Sequence, residues 1–389
     1  MKQLTGLVPD KKSSTKLNRL LNFFPEIKPK TTNRLPHMPQ LDGLRAFAVT
    51  AVLIHHFIRG GWRLGANLGV KLFFVLSGFL ITSILIRSRN EADVLNKGGG
   101  GALKNFYIRR FLRIFPLYYF VVAVGALVNA EMVREYLPFL LTYTLNFKMA
   151  QQGWFIAHYA HFWTLSVEEH FYLIWPWVVL FLPRRWLIPA ALTMIALGPG
   201  YRLYHVIGWT YFDSQASGLN TYIFTLTCFD TLGMGALLAL LSHADISSKK
   251  LLRLLSHIIL PAGILGFICL YTVKKFTPNW PYDLVLFDLT LALVFMWLVR
   301  AGARGFGGIL GAILNWKPIR YVGKISYGIY VYHPLIPSLL AFLIGQLGWE
   351  FKLFTLPGFC LATIATFFVA STSWYLMEKP INNLKRHFP

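Results

Sequence analysis

Residues 135–150 read EYLPFLLTYTLNFKMA, a stretch apolar enough to enter a lipid bilayer but short, and interrupted by Pro138 and Lys148. Whether it crosses decides the fold's topology, because one added crossing here inverts every later loop. Its surroundings make lipid the relevant solvent. Apolar residues make up 55% and charged residues 14% of the 389 residues, and the mean hydropathy is +0.51. That composition is too apolar for a soluble protein of this size and fits a chain that crosses a bilayer repeatedly.

A crossing helix needs about 20 apolar residues at roughly 1.5 Å each. Ten other stretches meet this, near 43–61, 66–86, 114–130, 163–183, 186–206, 220–241, 254–273, 282–299, 325–345 and 352–376. Short cytoplasmic loops collect Lys and Arg. With a cytoplasmic N-terminus and 135–150 not crossing, the inward segments 1–42, 87–113, 184–185, 249–253, 300–324 and 379–389 hold 28 of the 38 Lys and Arg. The outward segments hold seven, and Arg45, Lys71 and Arg202 lie within or at the ends of spans. Counting 135–150 as a span would put Arg184 and Arg185 outside.

The expected fold is therefore all-α, a polytopic transmembrane helix bundle of about ten spans, eleven being possible, with both termini cytoplasmic. A basic, flexible tail over 1–40 precedes a membrane domain over 41–380 and a short tail over 381–389. The first tail has no h-region, so it is not read as a cleaved signal peptide. The net charge of +22 follows mostly from topology and attraction to anionic lipid, and no nucleic-acid partner is needed to explain it. Cys228, Cys269 and Cys360 show neither CxxC nor Cys/His spacing, so neither a disulfide framework nor a metal site is expected.

An ionised group at the bilayer centre costs at least ~2.5 kcal/mol, which makes each intramembrane polar residue a site candidate. In LDGLRAFAVTAVLIHHF (41–57), Arg45 and His56 are eleven positions apart. On a helix they share a face, roughly 16 Å apart along the axis, with His55 about 100° away. In HFWTLSVEEHFYLIWPW (161–177), Glu168 and Glu169 enter the outer half of a span near the depth of His56, and as neighbours they need protonation or partners, for which His56 and Arg202 are the candidates. In GVKLFFVLSGFLIT (69–82), Ser77 and Gly78 form a notched surface for a neighbouring backbone or ligand. FYIRRFLRIFPLYY (106–119) places Arg109, Arg110 and Arg113 on the cytoplasmic side, as topological anchors or as a phosphate clamp. Asp230 lies mid-span, and KISYGIYVYHPLI (324–336) carries Ser326, Tyr330 and His333. Singly each has a packing explanation; together they outline a polar path through the bundle.

These five blocks, taken in chain order and at their separations, resemble the signature motifs of acyltransferase family 3, integral membrane O-acyltransferases of bacterial surface glycans, lipopolysaccharide and macrolides. The resemblance covers about residues 38–380. It places the family's Arg-x10-His element on Arg45 and His56. It departs at Lys71, where an acidic or small polar residue is frequent, and at Cys228, two residues before Asp230, where an Arg is frequent. The resemblance implies a multi-pass protein of the inner membrane with acyl-CoA, most often acetyl-CoA, as donor substrate, no bound cofactor, and a glycan or lipid-linked saccharide hydroxyl as acceptor.

On that reading Arg109, Arg110 and Arg113 dock the donor's phosphates and His56 takes the acceptor's proton, oriented by Glu168 or Glu169. Tyr330, Ser77 or a backbone N–H holds the oxyanion, with Arg202, Asp230, Ser326 and His333 along the path. An acyl-histidine or acyl-serine intermediate stays open. The rival class is a transporter using the same ionisable residues as a solute or proton pathway, against which the sequence shows no inverted repeat. Acceptor, acyl length and oligomeric state are not legible.

Overall fold

The computed structural model describes residues 38–58, 65–130, 133–152, 158–212, 220–244, 246–276 and 283–388. Most of the 1–40 tail thus lies outside the described residues. Among those described, every regular element is helical. Helices α1 (Pro39–Phe57), α2 (Gly65–Val94) and α3 (Gly99–Val128) are followed by the short α4 (Val133–Leu141) and α5 (Leu145–Gln152). Then come α6 (Trp163–Phe181), α7 (Leu187–Phe212), α8 (Phe229–His243), α9 (Ile246–Phe276) and α10 (Asp283–Arg304). The chain closes with α11 (Gly308–Asn315), α12 (Lys317–Lys324), α13 (Ser326–Tyr332), α14 (Leu335–Gln346) and α15 (Leu356–Ser373), continued by a π-helical turn at Trp374–Glu378.

Residues 135–150 do not form one helix. They break into α4 and α5, nine and eight residues long, around Thr142 to Thr144. Tyr143 takes the left-handed conformation (φ 55°), and the Thr142 hydroxyl donates back to the Pro138 carbonyl at 2.6 Å, ending α4. Eight or nine residues reach only about 12–14 Å, less than half a bilayer core.

Among the described residues, six helices are long and apolar enough to cross a membrane, and the α13/α14 pair, bent by 56°, makes a seventh if it counts as one span. The molecule is a helical membrane protein. Three other helices on expected segments, α1, α6 and α7, are not among the six. They carry Arg45, Glu168 with Glu169, and Arg202, the charges that lower their hydropathy. Prolines lie inside α3, α6, α7 and α9, as membrane helices tolerate.

The centre of the bundle is the α2–α8 pair, whose spanning windows are 78% and 83% buried, against 6% for α9, which lies at the periphery. The two backbones touch. A Cβ on Gly78 would stand 2.0 Å from the Leu232 carbonyl oxygen, and one on Gly235 would stand 2.1 Å from that of Val75. Only glycine fits either position, the small-residue packing that holds helices together in lipid. The same device seats α12 on α1, where Gly323 meets the Asp42 carbonyl. Large apolar residues on the outside, such as Leu127 (77% exposed) and Leu265 (66%), form the lipid-facing surface.

Candidate functional site

Helices α1, α2, α3, α6 and α13 line a chamber of about 100 Å³. Arg45, Arg110 and Arg113 line it together with Ser77, Glu168 and Tyr330, and Ser326 completes the wall from α13. The Ser77 hydroxyl donates to Glu168 Oε1 at 2.6 Å, and the Tyr172 hydroxyl donates to Ser77 Oγ at 3.0 Å. The Arg110 guanidinium stacks on the Tyr172 ring, 3.6 Å from its centroid. On the opposite wall the Tyr330 and Thr164 hydroxyls are 2.7 Å apart.

A second cavity of about 610 Å³ adjoins the first and shares Arg45, Arg113 and Tyr327 with it. Lys317, Arg320 and Lys324 line it from α12, at i, i+3 and i+7, one face of that helix. Asp42 and the buried Glu378, on the π-helical turn, are its carboxylates. Six cations therefore face three carboxylates, Glu168 included, across the linked cavities. Arg109 lines neither, so the arginine cluster read from the sequence is divided: Arg110 and Arg113 line the cavities and Arg109 does not.

Glu168 and Glu169 are also divided. Successive residues on a helix point about 100° apart. Glu169 lines a separate cavity with Arg110, Tyr143 and His170, so the two carboxylates avoid sharing one site. Among the described residues no hydrogen bond or ion pair joins either of them to His56. The structure sets Glu168 on Ser77 instead, because the chamber-facing side of α6 meets α2 there.

His56 stands outside the chamber, on the exposed flank of α1. Its Nδ1 is 2.9 Å from the Val52 carbonyl oxygen. A carbonyl only accepts, so Nδ1 carries the proton and Nε2 of the neutral ring keeps its lone pair. A backbone carbonyl thus fixes the tautomer that the sequence reading assigned to a carboxylate. The His333 ring packs edge-on against His56 at 4.9 Å and lies 5.2 Å from His161. His333 donates from Nδ1 to the Tyr330 carbonyl at 2.7 Å, which leaves its buried Nε2 without a partner.

Arg202 and Asp230 lie elsewhere, in a buried ion cluster at the bundle centre. Arg202 is bound by Asp230 and, at 2.7 Å, by Asp288, which also takes Lys71 at 2.6 Å. Cys228 Sγ is 3.8 Å from the Lys71 ammonium. The single polar path expected from the sequence is therefore three groups: the chamber, the histidine group outside it, and the ion cluster. Sequence reasoning missed Asp288, Lys317, Arg320 and Tyr172. An aspartate within DLVLFDLTLALVF (283–295) and a basic i, i+3, i+7 stripe were the available signals.

A chamber walled by arginines beside a hydroxyl–carboxylate pair and an oriented imidazole, in a membrane helix bundle, is a site equipped for acyl transfer. A family model described as an acyltransferase domain matches residues 38–375, and the chain belongs to this family. Among characterised proteins it is similar to the peptidoglycan O-acetyltransferase OatA of Listeria monocytogenes, 29% identical over 359 residues. It is also similar to the putative peptidoglycan O-acetyltransferase YrhL of Bacillus subtilis (28% over 375 residues) and the O-acetyltransferase OatA of Staphylococcus aureus (27% over 386 residues). Each alignment covers 89% of this chain but only 56%, 55% and 57% of the respective relative, so the chain spans little more than half the length of the relatives it matches. No solved structure matches the chain significantly.

Proposed function

We propose that the protein is a multi-pass O-acetyltransferase of the inner membrane, with ten spans and both termini cytoplasmic, that moves an acetyl group from acetyl-CoA to a hydroxyl of a cell-envelope glycan or its lipid-linked precursor. The observation that carries the reading is the chamber in which Arg45, Arg110 and Arg113 surround the Ser77–Glu168 pair. Guanidinium groups bind phosphate oxygens and stabilise a developing oxyanion. The donor's polyanionic carrier stays on the basic cytoplasmic side, while the thioester reaches the chamber. His56, with Nε2 free and Nδ1 held, takes the proton of the acceptor hydroxyl on the outer side. His333 steadies that ring by packing against it. The names of the relatives support a peptidoglycan acceptor.

The test is reconstitution in nanodiscs with radiolabelled acetyl-CoA and muropeptide or lipid-linked disaccharide acceptors. Free thiol release with label on the acceptor is the expected result. Uptake of an intact solute into liposomes without label transfer would instead establish the transporter class.

A further inference from the structure

We propose that Ser77 carries the acyl group covalently between donor and acceptor, with Glu168 as the base that activates it. The inference rests on the acyl-transfer reading above and goes beyond it, because that reading is equally served by direct transfer.

Three observations converge on Ser77. Its hydroxyl donates to Glu168 Oε1 at 2.6 Å, the contact of a nucleophile with its base. The Tyr172 hydroxyl donates to Ser77 Oγ at 3.0 Å, so that proton occupies one serine lone pair and leaves the serine's own proton directed at the carboxylate. Arg110, stacked on the Tyr172 ring, fixes that tyrosine from behind. The serine cannot turn away easily, since its neighbour Gly78 is locked against the Leu232 carbonyl and sets the rotation of α2.

The chamber also explains why a carrier is needed. Ser77 and Glu168 line it, and His56 does not. Glu168 is the carboxylate in contact with Ser77, so it serves the donor half, and the imidazole of His56, on the other side of the acyl group, serves an acceptor that arrives from there. A covalent ester on Ser77 lets the donor's carrier leave on the cytoplasmic side before the acceptor arrives.

The steps balance. Ser77 Oγ attacks the thioester carbonyl carbon, the O–C bond forms, and its proton passes to Glu168. The tetrahedral oxyanion faces the arginines of the chamber. Collapse breaks the C–S bond, Glu168 returns the proton to the leaving thiolate, and the free thiol departs. The acceptor hydroxyl then attacks the Ser77 ester, giving up its proton to the base on its side. Collapse breaks the acyl C–Oγ bond to Ser77, the acceptor ester leaves, and the proton taken from the acceptor hydroxyl is passed on through Glu168 to Ser77 Oγ.

A serine–glutamate hydrogen bond between α2 and α6 also has a purely structural reading, as polar glue in lipid. The experiment separates them. Purified protein in nanodiscs is incubated with radiolabelled acetyl-CoA without acceptor, quenched in acid and peptide-mapped. The expected result is one acetyl increment on the peptide bearing Ser77, released by hydroxylamine. Ser77→Ala should lose the adduct, and Ser77→Cys, which keeps the geometry, should carry it as a thioester. Glu168→Gln should slow its formation by ~10²–10⁴-fold, the range of one general base. His56→Ala should still form the adduct and fail to discharge it to acceptor. Thiol release and acceptor labelling by wild type with no adduct on Ser77 in either wild type or His56→Ala, or an adduct on another residue, would overturn the covalent role and leave the acetyltransferase standing. Absence of thiol release from wild type would remove both.

Discussion

Lys71 Nζ lies 2.6 Å from Asp288 Oδ2, the lysine side chain wholly buried and the aspartate 9% exposed. The same carboxylate oxygen takes Arg202 at 2.7 Å, and Arg202 also binds Asp230, so two cations and two anions close into a neutral cluster joining α2, α7, α8 and α10. Removing one partner of a buried ion pair is far costlier than removing both. Asp288→Asn should therefore destabilise the protein by about 3–5 kcal/mol, since it leaves Lys71 and Arg202 to share Asp230 alone. Adding Lys71→Met should restore balance and recover much of the loss. Thermal unfolding in detergent of the two single variants and the double variant measures the coupling, and additive losses would show that the cluster is not one unit.

The division of the arginine cluster gives a kinetic prediction. Gln at Arg110 and Arg113 should raise the apparent KM for acetyl-CoA by ten-fold or more, while Gln at Arg109, which lines neither cavity, should leave it close to wild type. Lys at Arg110 and Arg113 should rescue only in part, because a point charge lacks the bidentate fork and the planar face that stacks on Tyr172. Equal effects at Arg109 and Arg113 would reduce all three to topological anchors.

His56→Ala should lower turnover by ~10²–10⁴-fold with acetyl-CoA binding largely kept, as expected for loss of a general base. His55→Ala should retain most activity, since the ring whose Nδ1 is tied to Val52 and whose edge meets His333 is that of His56. Steady-state transfer at matched protein levels checks both.

Gly78→Ala should fail to fold or insert, with its new methyl driven 2.0 Å from the Leu232 oxygen. Gly345→Ala on α14, where nothing lies within 4 Å, should be neutral or raise stability by up to about 1 kcal/mol through helix propensity. Fluorescence size-exclusion profiles and melting temperatures of the two variants report the contrast.

For the topology, accessibility tags at positions 95, 248 and 385 should report the cytoplasm and tags at 62, 214 and 277 the far side. Tags at 62 and 248 reporting the same side would defeat the ten-span arrangement.

Much of this architecture was legible because lipid simplifies the reading: helix is the only economical backbone there, and charge marks depth and side. Arg45, Arg110, Arg113, Ser77 and Tyr330 were found that way and meet in one chamber. What a single helix does not disclose is which neighbour each face meets. Glu168 was expected against His56 from their common depth, yet α2 lies between α1 and the relevant face of α6, so Ser77 intercepts it. The separation of Glu168 from Glu169 was available, by the same helical rotation that told His55 from His56. Asp288 went unassigned because its partners come from α2 and α7, distant in the chain, and only the assembled bundle brings Lys71 and Arg202 to one oxygen.

The glycine seam between α2 and α8 has a mechanical consequence. Contact of backbone on backbone leaves no side chains to repack, and a slide by one residue would press Ser77 or Phe79 into the Leu232 carbonyl. The pair is therefore a rigid keel, and any shape change in the bundle would fall on parts fastened otherwise. The 56° bend between α13 and α14 is such a part, with His333 and Pro334 at its corner and Tyr330 one turn before it. Rocking at that corner would alter the distance between the chamber and the histidine group while the keel holds Ser77 and the ion cluster still.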